Sequence, residues 1–170
     1  MAIESLRALP TDSRVFIDAN IFLYTILGHP RFKSPCKEFL IKLENGVYEG
    51  TTSTLILNEV VHKLMLAEVI KINGLSSERE ALKLIRKNPE IISKLHTTWS
   101  NYAYIRRYPI AITEVDERAM DLSVQISERY RLLISDAVHI AIMKKRGIVD
   151  LASNDSDFER VAGINLWKPR

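Results

Sequence analysis

The chain has one cysteine, Cys36, among its 170 residues, and no apolar run near the roughly 18 residues that a membrane span needs. A single cysteine excludes an intramolecular disulfide and a cysteine-based metal site, which fits a reducing compartment. The first residues include an acid, Glu4, and no long apolar stretch, so they do not resemble a secretory signal. We therefore expect a cytoplasmic protein that makes no membrane contact.

Two common catalytic signatures are also missing. The sequence has no Gly-rich phosphate loop, which argues against nucleotide hydrolysis of the P-loop kind. It has no nucleophile-elbow sequence, which argues against a Ser-His-Asp hydrolase. Internal repeats, low-complexity tracts and linkers are absent as well, and the length suits one domain with a substantial core. We expect a single domain over residues 1–170.

The net charge of +3 is small, but the basic residues are unevenly distributed. Between Lys63 and Arg107 the chain has nine lysines and arginines against four glutamates. A basic middle segment is suited to a polyanionic substrate. The alternative interpretation is a solvated helical surface, and the sequence leaves both open.

Short apolar runs alternate with helical patterns along the chain. The pattern predicts five strands, at residues 14–18, 47–53, 109–112, 149–152 and 164–166. Helices are expected between them, one opened by Ser34 and Pro35 and one capped by Ser135. Strands that alternate with helices predict an α/β fold with a mostly parallel sheet.

Four acids lie at or near the ends of these elements: Asp18, Glu59, Asp136 and Asp155. The carboxyl ends of parallel strands are where such sheets bind ligands, so Asp18 is well placed for function. If the fold gathers all four, their mutual repulsion and desolvation require a compensating cation. Hard divalent cations prefer oxygen ligands and can activate water for attack on a phosphodiester. The set therefore predicts a Mg²⁺- or Mn²⁺-dependent phosphodiesterase.

Some of these residues also have a purely structural interpretation. Asn20 could orient Asp18 or a bound water, or it could belong to a turn. Asp136 is expected in the first turn of a helix, where the helix dipole favours an anion. Asp157, two residues after Asp155, is expected to cap a short turn, and its alternative role is to support the site or to replace Asp155 as the fourth acid.

Two histidines raise a competing metal chemistry. Glu59 with His62, and Asp136 with His139, are each spaced to share one helix face, as in carboxylate-bridged di-iron bundles. Such bundles draw their ligands from helices, whereas two of the acids here follow strands. A histidine at position 139, within an apolar run, is expected to be a hydrogen-bonded, partly buried structural residue.

The motifs together resemble those of the PIN-domain family. They appear in the family's order and span most of the chain, at Val15 to Asn20, Ser53 with Asn58 to Val60, Ser135 to Ala141, and Ser153 to Phe158. The resemblance implies a three-layer α/β/α fold around a five-stranded sheet of order 3-2-1-4-5. It implies that the four acids coordinate Mg²⁺ or Mn²⁺, that the hydroxyls of Ser53 or Thr54 assist the metal or the phosphate, and that the substrate is single-stranded RNA.

Within that family the chain is most similar to VapC-type toxins. This similarity implies a homodimer and an antitoxin protein that holds the toxin inactive. The chain departs from compact toxins in residues 67–108, which we expect to form a helical insertion or lid. This segment contains the basic excess and an aromatic and arginine cluster: Trp99, Tyr102, Tyr104, Arg106, Arg107 and Tyr108.

That cluster has three possible roles. Tyr102, Arg106 and Arg107 are candidate RNA contacts, because aromatic faces stack on unpaired bases and arginines bind phosphates. The same residues could instead pack in the protein core or form a dimer surface.

Three functions fit the sequence. The leading hypothesis is a metal-dependent endoribonuclease that acts as the toxin of a toxin–antitoxin pair. The second is an RNA-processing nuclease without an antitoxin. The third is a non-catalytic RNA-binding module on the same fold, which the retention of all four acids disfavours.

Overall fold

A six-stranded sheet with every strand parallel to its neighbours forms the centre of the computed structural model, which describes residues 3–170. The strands are β1 (Ile3–Ser5), β2 (Arg14–Ile17), β3 (Glu49–Ser53), β4 (Ile110–Thr113), β5 (Asp150–Ala152) and β6 (Asn165–Lys168). Their order across the sheet is β1-β6-β5-β2-β3-β4. Helices flank this sheet, so the predicted α/β class is confirmed.

The strand count differs from the prediction by one. The five expected strands are present in the expected relative order, and β1 adds a sixth at the edge beyond β6. Only three residues form β1, from Ile3 to Ser5, and none of them is fully buried. A segment this short shows no alternation of apolar and polar residues, so the sequence pattern could not reveal it.

Seven α-helices and three short 3₁₀ turns connect the described strands. The helices are α1 (Ala19–Ile26), α2 (Lys33–Glu44), α3 (Thr54–Asn73), α4 (Glu78–Lys87), α5 (His96–Ile105), α6 (Glu117–Tyr130) and α7 (Ile134–Arg146). The 3₁₀ turns lie at Leu6–Ala8, Pro89–Lys94 and Asp157–Arg160. None of the helices in residues 3–170 combines the length and the apolar character needed to cross a bilayer.

Two predicted helix starts were wrong. α2 begins at Lys33, and the Ser34 hydroxyl donates to the Glu38 carboxylate instead of capping the helix. α7 begins at Ile134 after Leu133, without a side-chain cap, so Ser135 lies inside the first turn. In both cases the backbone enters the helix slightly before the residue with the favourable capping chemistry.

The order in which the chain adds strands to the sheet reverses at its centre. From β2 the chain moves outward through β3 to β4, and it later returns to β5 on the other side of β2 before reaching β6. Such a switch point opens a crevice at the carboxyl ends of the two central strands. Asp18 directly follows β2 and Ser153 directly follows β5, and the Asp18 amide donates to the Ala152 carbonyl at 3.1 Å. The sheet therefore places both polar residues at this crevice.

Two hydrophobic clusters support the fold. The larger surrounds the sheet and includes a continuous buried run on α7, from Ala137 to Met143. The smaller has Leu66, Val69, Ala81 and Leu95 at its centre, where the second half of α3 packs against α4 and the following 3₁₀ turn. The segment 67–108 is thus largely helical, and its role as an insertion or lid stays a prediction.

The start of α5 is fixed by a side chain from α3. Leu95 precedes this helix and provides no side-chain cap. The Glu68 carboxylate replaces the cap by accepting hydrogen bonds from the Thr97 amide at 3.0 Å and from the Thr98 amide and hydroxyl at 2.7 Å. Burial acts to raise the pKa of Glu68, but these hydrogen bonds outweigh it and the pKa is lowered. Glu68 thereby holds α5 against α3.

We expect Glu68→Ala to reduce the free energy of unfolding by about 1–2 kcal/mol at neutral pH, because α5 loses its cap. A lowered pKa in the folded state means that this contribution is present above the unfolded pKa and is lost as the pH falls through the folded pKa. The difference between wild type and variant should therefore shrink in acid, as measured by urea denaturation. Glu128→Ala, an exposed position on α6, is the control, and an equal loss in both variants would contradict the capping role.

Candidate functional site

An acidic cavity of ≈320 Å³ opens at the switch point of the sheet. It is bordered by the loops after β2 and β5 and by α1, α3 and α7. All four acids singled out from the sequence line it, together with two asparagines, a leucine and a tyrosine: Asp18, Glu59, Asp136, Asp155, Asn20, Asn154, Leu23 and Tyr24. The structure therefore brings residues from four distant parts of the chain to one place, while their catalytic role stays a prediction.

Asp18 is the most enclosed of the four acids, with only 7% of its surface exposed. It caps α1, and one carboxylate oxygen accepts the Ala19 amide at 2.6 Å. Burial raises the pKa of Asp18 to about 7, against the Ser153 hydrogen bond, and the charges of Glu59 and Asp155 raise it further. A buried carboxylate whose ionised form is disfavoured calls for a cation beside it.

A polar brace holds Asp18 in position. The Ser153 hydroxyl donates to Asp18 Oδ2 at 2.5 Å, and the Asn20 amide group donates to the same oxygen. Asn20 also donates to Ser153 Oγ at 3.0 Å and accepts the Asn154 amide at 3.2 Å, which ties the loop after β2 to the loop after β5. The orienting role considered for Asn20 is thus consistent with its contacts.

Ser153 has a larger part in this brace than the sequence indicated. It was recognised only as part of a motif, although it is fully buried and hydrogen-bonded to Asp18, Asn20 and the Asp155 amide. Its position could have indicated this role, because Ser153 is the first residue after β5 and lies next to the end of β2.

Glu59 and Asp136 approach the cavity from two helices. Glu59 lies in the second turn of α3, and burial raises its pKa, opposed by Lys63 and assisted by Asp155. Asp136 lies in the first turn of α7, and burial raises its pKa to about 6, with further contributions from Asp155, Asp157 and Glu59. The charge of Asp155 therefore contributes to the raised pKa of both Glu59 and Asp136.

The donor chemistry of this cavity suits a hard divalent cation. Carboxylate oxygens dominate its polar lining, and the raised pKa values show that negative charge there is undercompensated. Within residues 3–170, however, no three His, Cys, Asp or Glu side chains are already close enough to hold an ion together.

Three of the supporting residues expected from the sequence lie outside the cavity lining. Ser53 is fully buried and caps α3 by accepting the Ile56 amide at 3.2 Å, so its oxygen is already engaged. Thr54 is exposed and lines a different groove, beside Trp99. The Asp157 carboxylate pairs with Arg160. A role for the hydroxyl of Ser53 or Thr54 in assisting the metal or the phosphate stays a prediction.

The candidate RNA contacts lie on the surface of α5 and just after it. Tyr102 lines the same groove as Thr54, Arg106 borders an adjoining cavity of ≈210 Å³, and Arg107 is exposed. None of these three side chains lines the acidic cavity. Their contact with RNA stays a prediction.

The two histidines do not join the acids. His62 is exposed and absent from the cavity lining, whereas His139 is only 2% exposed. The His139 ring lies between those of Phe16 and Phe158, at centroid distances of 5.9 and 6.4 Å, and burial lowers its pKa to about 4. A structural role fits this environment better than the di-iron arrangement, but His139 is more deeply buried than expected, and its Nδ1 has no hydrogen-bond partner within residues 3–170.

Comparison with known proteins identifies relatives for nearly the whole chain. A family model described as "PIN domain" matches residues 15–164. Ribonuclease VapC6 of Methanocaldococcus jannaschii is 24% identical over 156 residues, which cover 92% of this chain and 97% of the relative. Ribonuclease VapC2 of the same organism is 25% identical over 155 residues, which cover 91% and 93%.

Solved structures show the same fold at lower identity. VapBC2 from Rickettsia felis, bound to a DNA fragment from its promoter, matches with a TM-score of 0.56 and 14% identity, covering 91% of this chain and 97% of the matched chain. VapC20 from Mycobacterium tuberculosis, a toxin that cleaves the sarcin-ricin loop, matches with a TM-score of 0.53 and 16% identity, covering 88% and 96%. At these identities the structural likeness supports the fold alone.

The raised pKa of Asp18 predicts how stability depends on pH without a divalent cation. Folding favours the protonated acid, so stability should fall as the pH rises from about 3.8 to about 7. One pKa unit corresponds to about 1.4 kcal/mol, which gives an upper figure of about 4 kcal/mol for this residue. The free energy of unfolding should be measured in EDTA by urea denaturation. As the pH rises through this range, the difference between Asp18→Asn and wild type should change in favour of the variant.

Asp121→Asn, an exposed acid on α6, provides the matched control and should leave the pH dependence of wild type unchanged. Added Mg²⁺ or Mn²⁺ should stabilise the wild type most at the high end of the range, where the acids are ionised. Parallel pH profiles for wild type and Asp18→Asn would contradict the electrostatic description of the cavity.

Proposed function

The chain belongs to the PIN-domain family, and from that premise we propose that it is a metal-dependent endoribonuclease and the toxin of a toxin–antitoxin pair. Its substrate would be single-stranded RNA, cut by hydrolysis of phosphodiester bonds to leave a 5′-phosphate and a 3′-hydroxyl. The observation that carries the proposal is the convergence of Asp18, Glu59, Asp136 and Asp155 on one cavity at the switch point.

The same four carboxylates would hold Mg²⁺ or Mn²⁺, since their oxygen atoms are the ligands that such ions prefer. A bound ion of this kind lowers the pKa of water and offsets the negative charge that develops on a phosphodiester under attack. Without that counter-charge, an acidic cavity would repel the substrate.

The protein's own contribution is to position these groups. Ser153 and Asn20 fix one oxygen of Asp18, and the Ala19 amide fixes the other, so this carboxylate keeps one orientation. Because these hydrogen bonds are made before substrate arrives, little reorganisation is needed during reaction. Leu23 and Tyr24 line the cavity on the side of α1.

An antitoxin partner is part of this proposal. Solved VapBC toxin–antitoxin complexes, including one from Salmonella typhimurium at a TM-score of 0.54, share the fold. A negatively charged cavity would attract a basic segment of a partner, which would also block the substrate. We further propose a homodimer in the cytoplasm, on the resemblance to VapC-type toxins.

Asp18→Asn and Asp136→Asn should each reduce cleavage of single-stranded RNA in Mg²⁺ or Mn²⁺ by more than about 100-fold, since loss of a residue that merely orients a metal ligand costs 10–100-fold. Ser153→Ala removes only a hydrogen bond that holds Asp18, so its cleavage rate should fall by about 10- to 100-fold. The measurement is the initial rate of cleavage of a labelled single-stranded RNA.

Glu114→Gln, an exposed acid outside the acidic cavity, is the control and should cleave at the wild-type rate. Activity of Asp18→Asn or Asp136→Asn near the wild-type level would exclude these acids as essential ligands. Expression of the wild-type protein should arrest growth, and a co-expressed partner encoded beside it should relieve the arrest. Cleavage without growth arrest would instead favour an RNA-processing nuclease.

A further inference from the structure

A second surface feature lies beside the first turns of α3. It is a groove of ≈410 Å³ between α3 and α5, which we call the aromatic groove. Its lining consists of four residues from α3 and two aromatic residues from α5: Thr54, Leu57, Asn58, Val61, Trp99 and Tyr102. The function derived above assigns no role to it.

The two aromatic residues are exposed because of how α5 is fixed. Trp99 and Tyr102 expose 39% and 37% of their surface, whereas Thr98 and Ile105 of the same helix are buried. Thr97 and Thr98, in the first turn of α5, donate hydrogen bonds to the Glu68 carboxylate and so fix the start of this helix against α3. Two ring faces are therefore held at the surface by a rigid attachment rather than buried in a core.

The charges near the groove are complementary to a polyanion. No acidic side chain lines the aromatic groove. Arg106 follows Tyr102 by one helical turn and borders the adjoining cavity, which shares Leu57 with the groove. Neither Arg106 nor Arg107 forms an ion pair with any other residue in the described range 3–170. Exposed ring faces next to uncompensated guanidinium groups are the combination that binds single-stranded nucleic acid.

The groove and the acidic cavity are also close along α3. Asn58 lines the groove and the next residue, Glu59, lines the acidic cavity, so the two sites lie on two faces of the same turn of α3. One extended strand could therefore occupy both places, with its backbone passing over the first turns of α3.

We propose that the aromatic groove is a base-binding subsite, in which Trp99 and Tyr102 stack on an unpaired RNA base close to the scissile phosphate and Arg106 binds a neighbouring phosphate. The subsite rests on the proposed function for the identity of its ligand, RNA, but not for any step of cleavage. It gives the enzyme a physical reason to prefer unpaired over paired RNA, because a base within a duplex cannot offer its face to the groove.

The test compares binding of single-stranded RNA with binding of an abasic strand of equal length, both in EDTA so that metal-dependent cleavage cannot occur. Trp99→Ala should weaken binding of the intact RNA by about 5- to 100-fold, the range expected for loss of stacking on one base. Trp99→Phe keeps an aromatic face and should recover most of that loss. On the abasic strand, wild type and Trp99→Ala should bind equally.

Tyr104→Ala is the matched control, because Tyr104 is an aromatic residue of α5 that is 47% exposed and lies outside the groove. It should bind both strands as wild type does. Circular dichroism and the melting temperature show whether each variant remains folded.

Arg106→Ala has a different expected signature. A phosphate contact is independent of the base, so this variant should weaken intact and abasic strands by the same factor. The slope of log affinity against log salt concentration should fall in magnitude by about one unit.

Equal weakening of both strands by Trp99→Ala, or no weakening of either, would overturn the subsite. A wild-type protein that binds neither strand would also overturn it. So would a folded Trp99→Ala variant that binds RNA normally but no longer self-associates, because the groove would then be a protein interface. A base-dependent loss in a protein that never cleaves RNA would refute the proposed function and leave the subsite intact.

Discussion

The structure depends on holding four like charges around one cavity against their mutual repulsion. Each carboxylate comes from a different element, so the sheet, α1, α3 and α7 must all be correctly placed before the cavity exists. Burial and proximity raise the pKa of Asp18 and of Asp136. Hydrogen bonds from Ser153, Asn20 and the Ala19 amide offset part of this cost for Asp18. The fold is therefore less stable than it would be without these four carboxylates close together, which is a common compromise at functional sites.

The sequence predicted the architecture well because its main signals are local. Buried strands of apolar residues, each followed by a polar residue, located Asp18 and Asp155 at the correct edge of the sheet. The failures concern tertiary contacts and the exact starts of helices. β1 exists only through its pairing with β6, and Ser53 could not be recognised as a cap without knowing where α3 begins. The bond from Ser153 to Asp18 joins residues 135 positions apart.

The helix α3 connects the two surfaces described above. Its first turns present Glu59 to the acidic cavity and Asn58 to the aromatic groove, while its second half carries the smaller hydrophobic cluster and Glu68. A single rigid helix therefore sets the distance between the proposed chemistry and the proposed base-binding surface. Such rigidity favours a constant geometry between the two.

The smaller hydrophobic cluster has a consequence for how proteins of this kind can diversify. The hairpin made by α4 and the 3₁₀ turn after it packs on Leu66 and Val69 and not on the central sheet. Changes in its length or composition would therefore be absorbed locally, without moving the strands that carry the acids. Evolution could therefore lengthen or replace this hairpin while the acidic cavity is inherited unaltered.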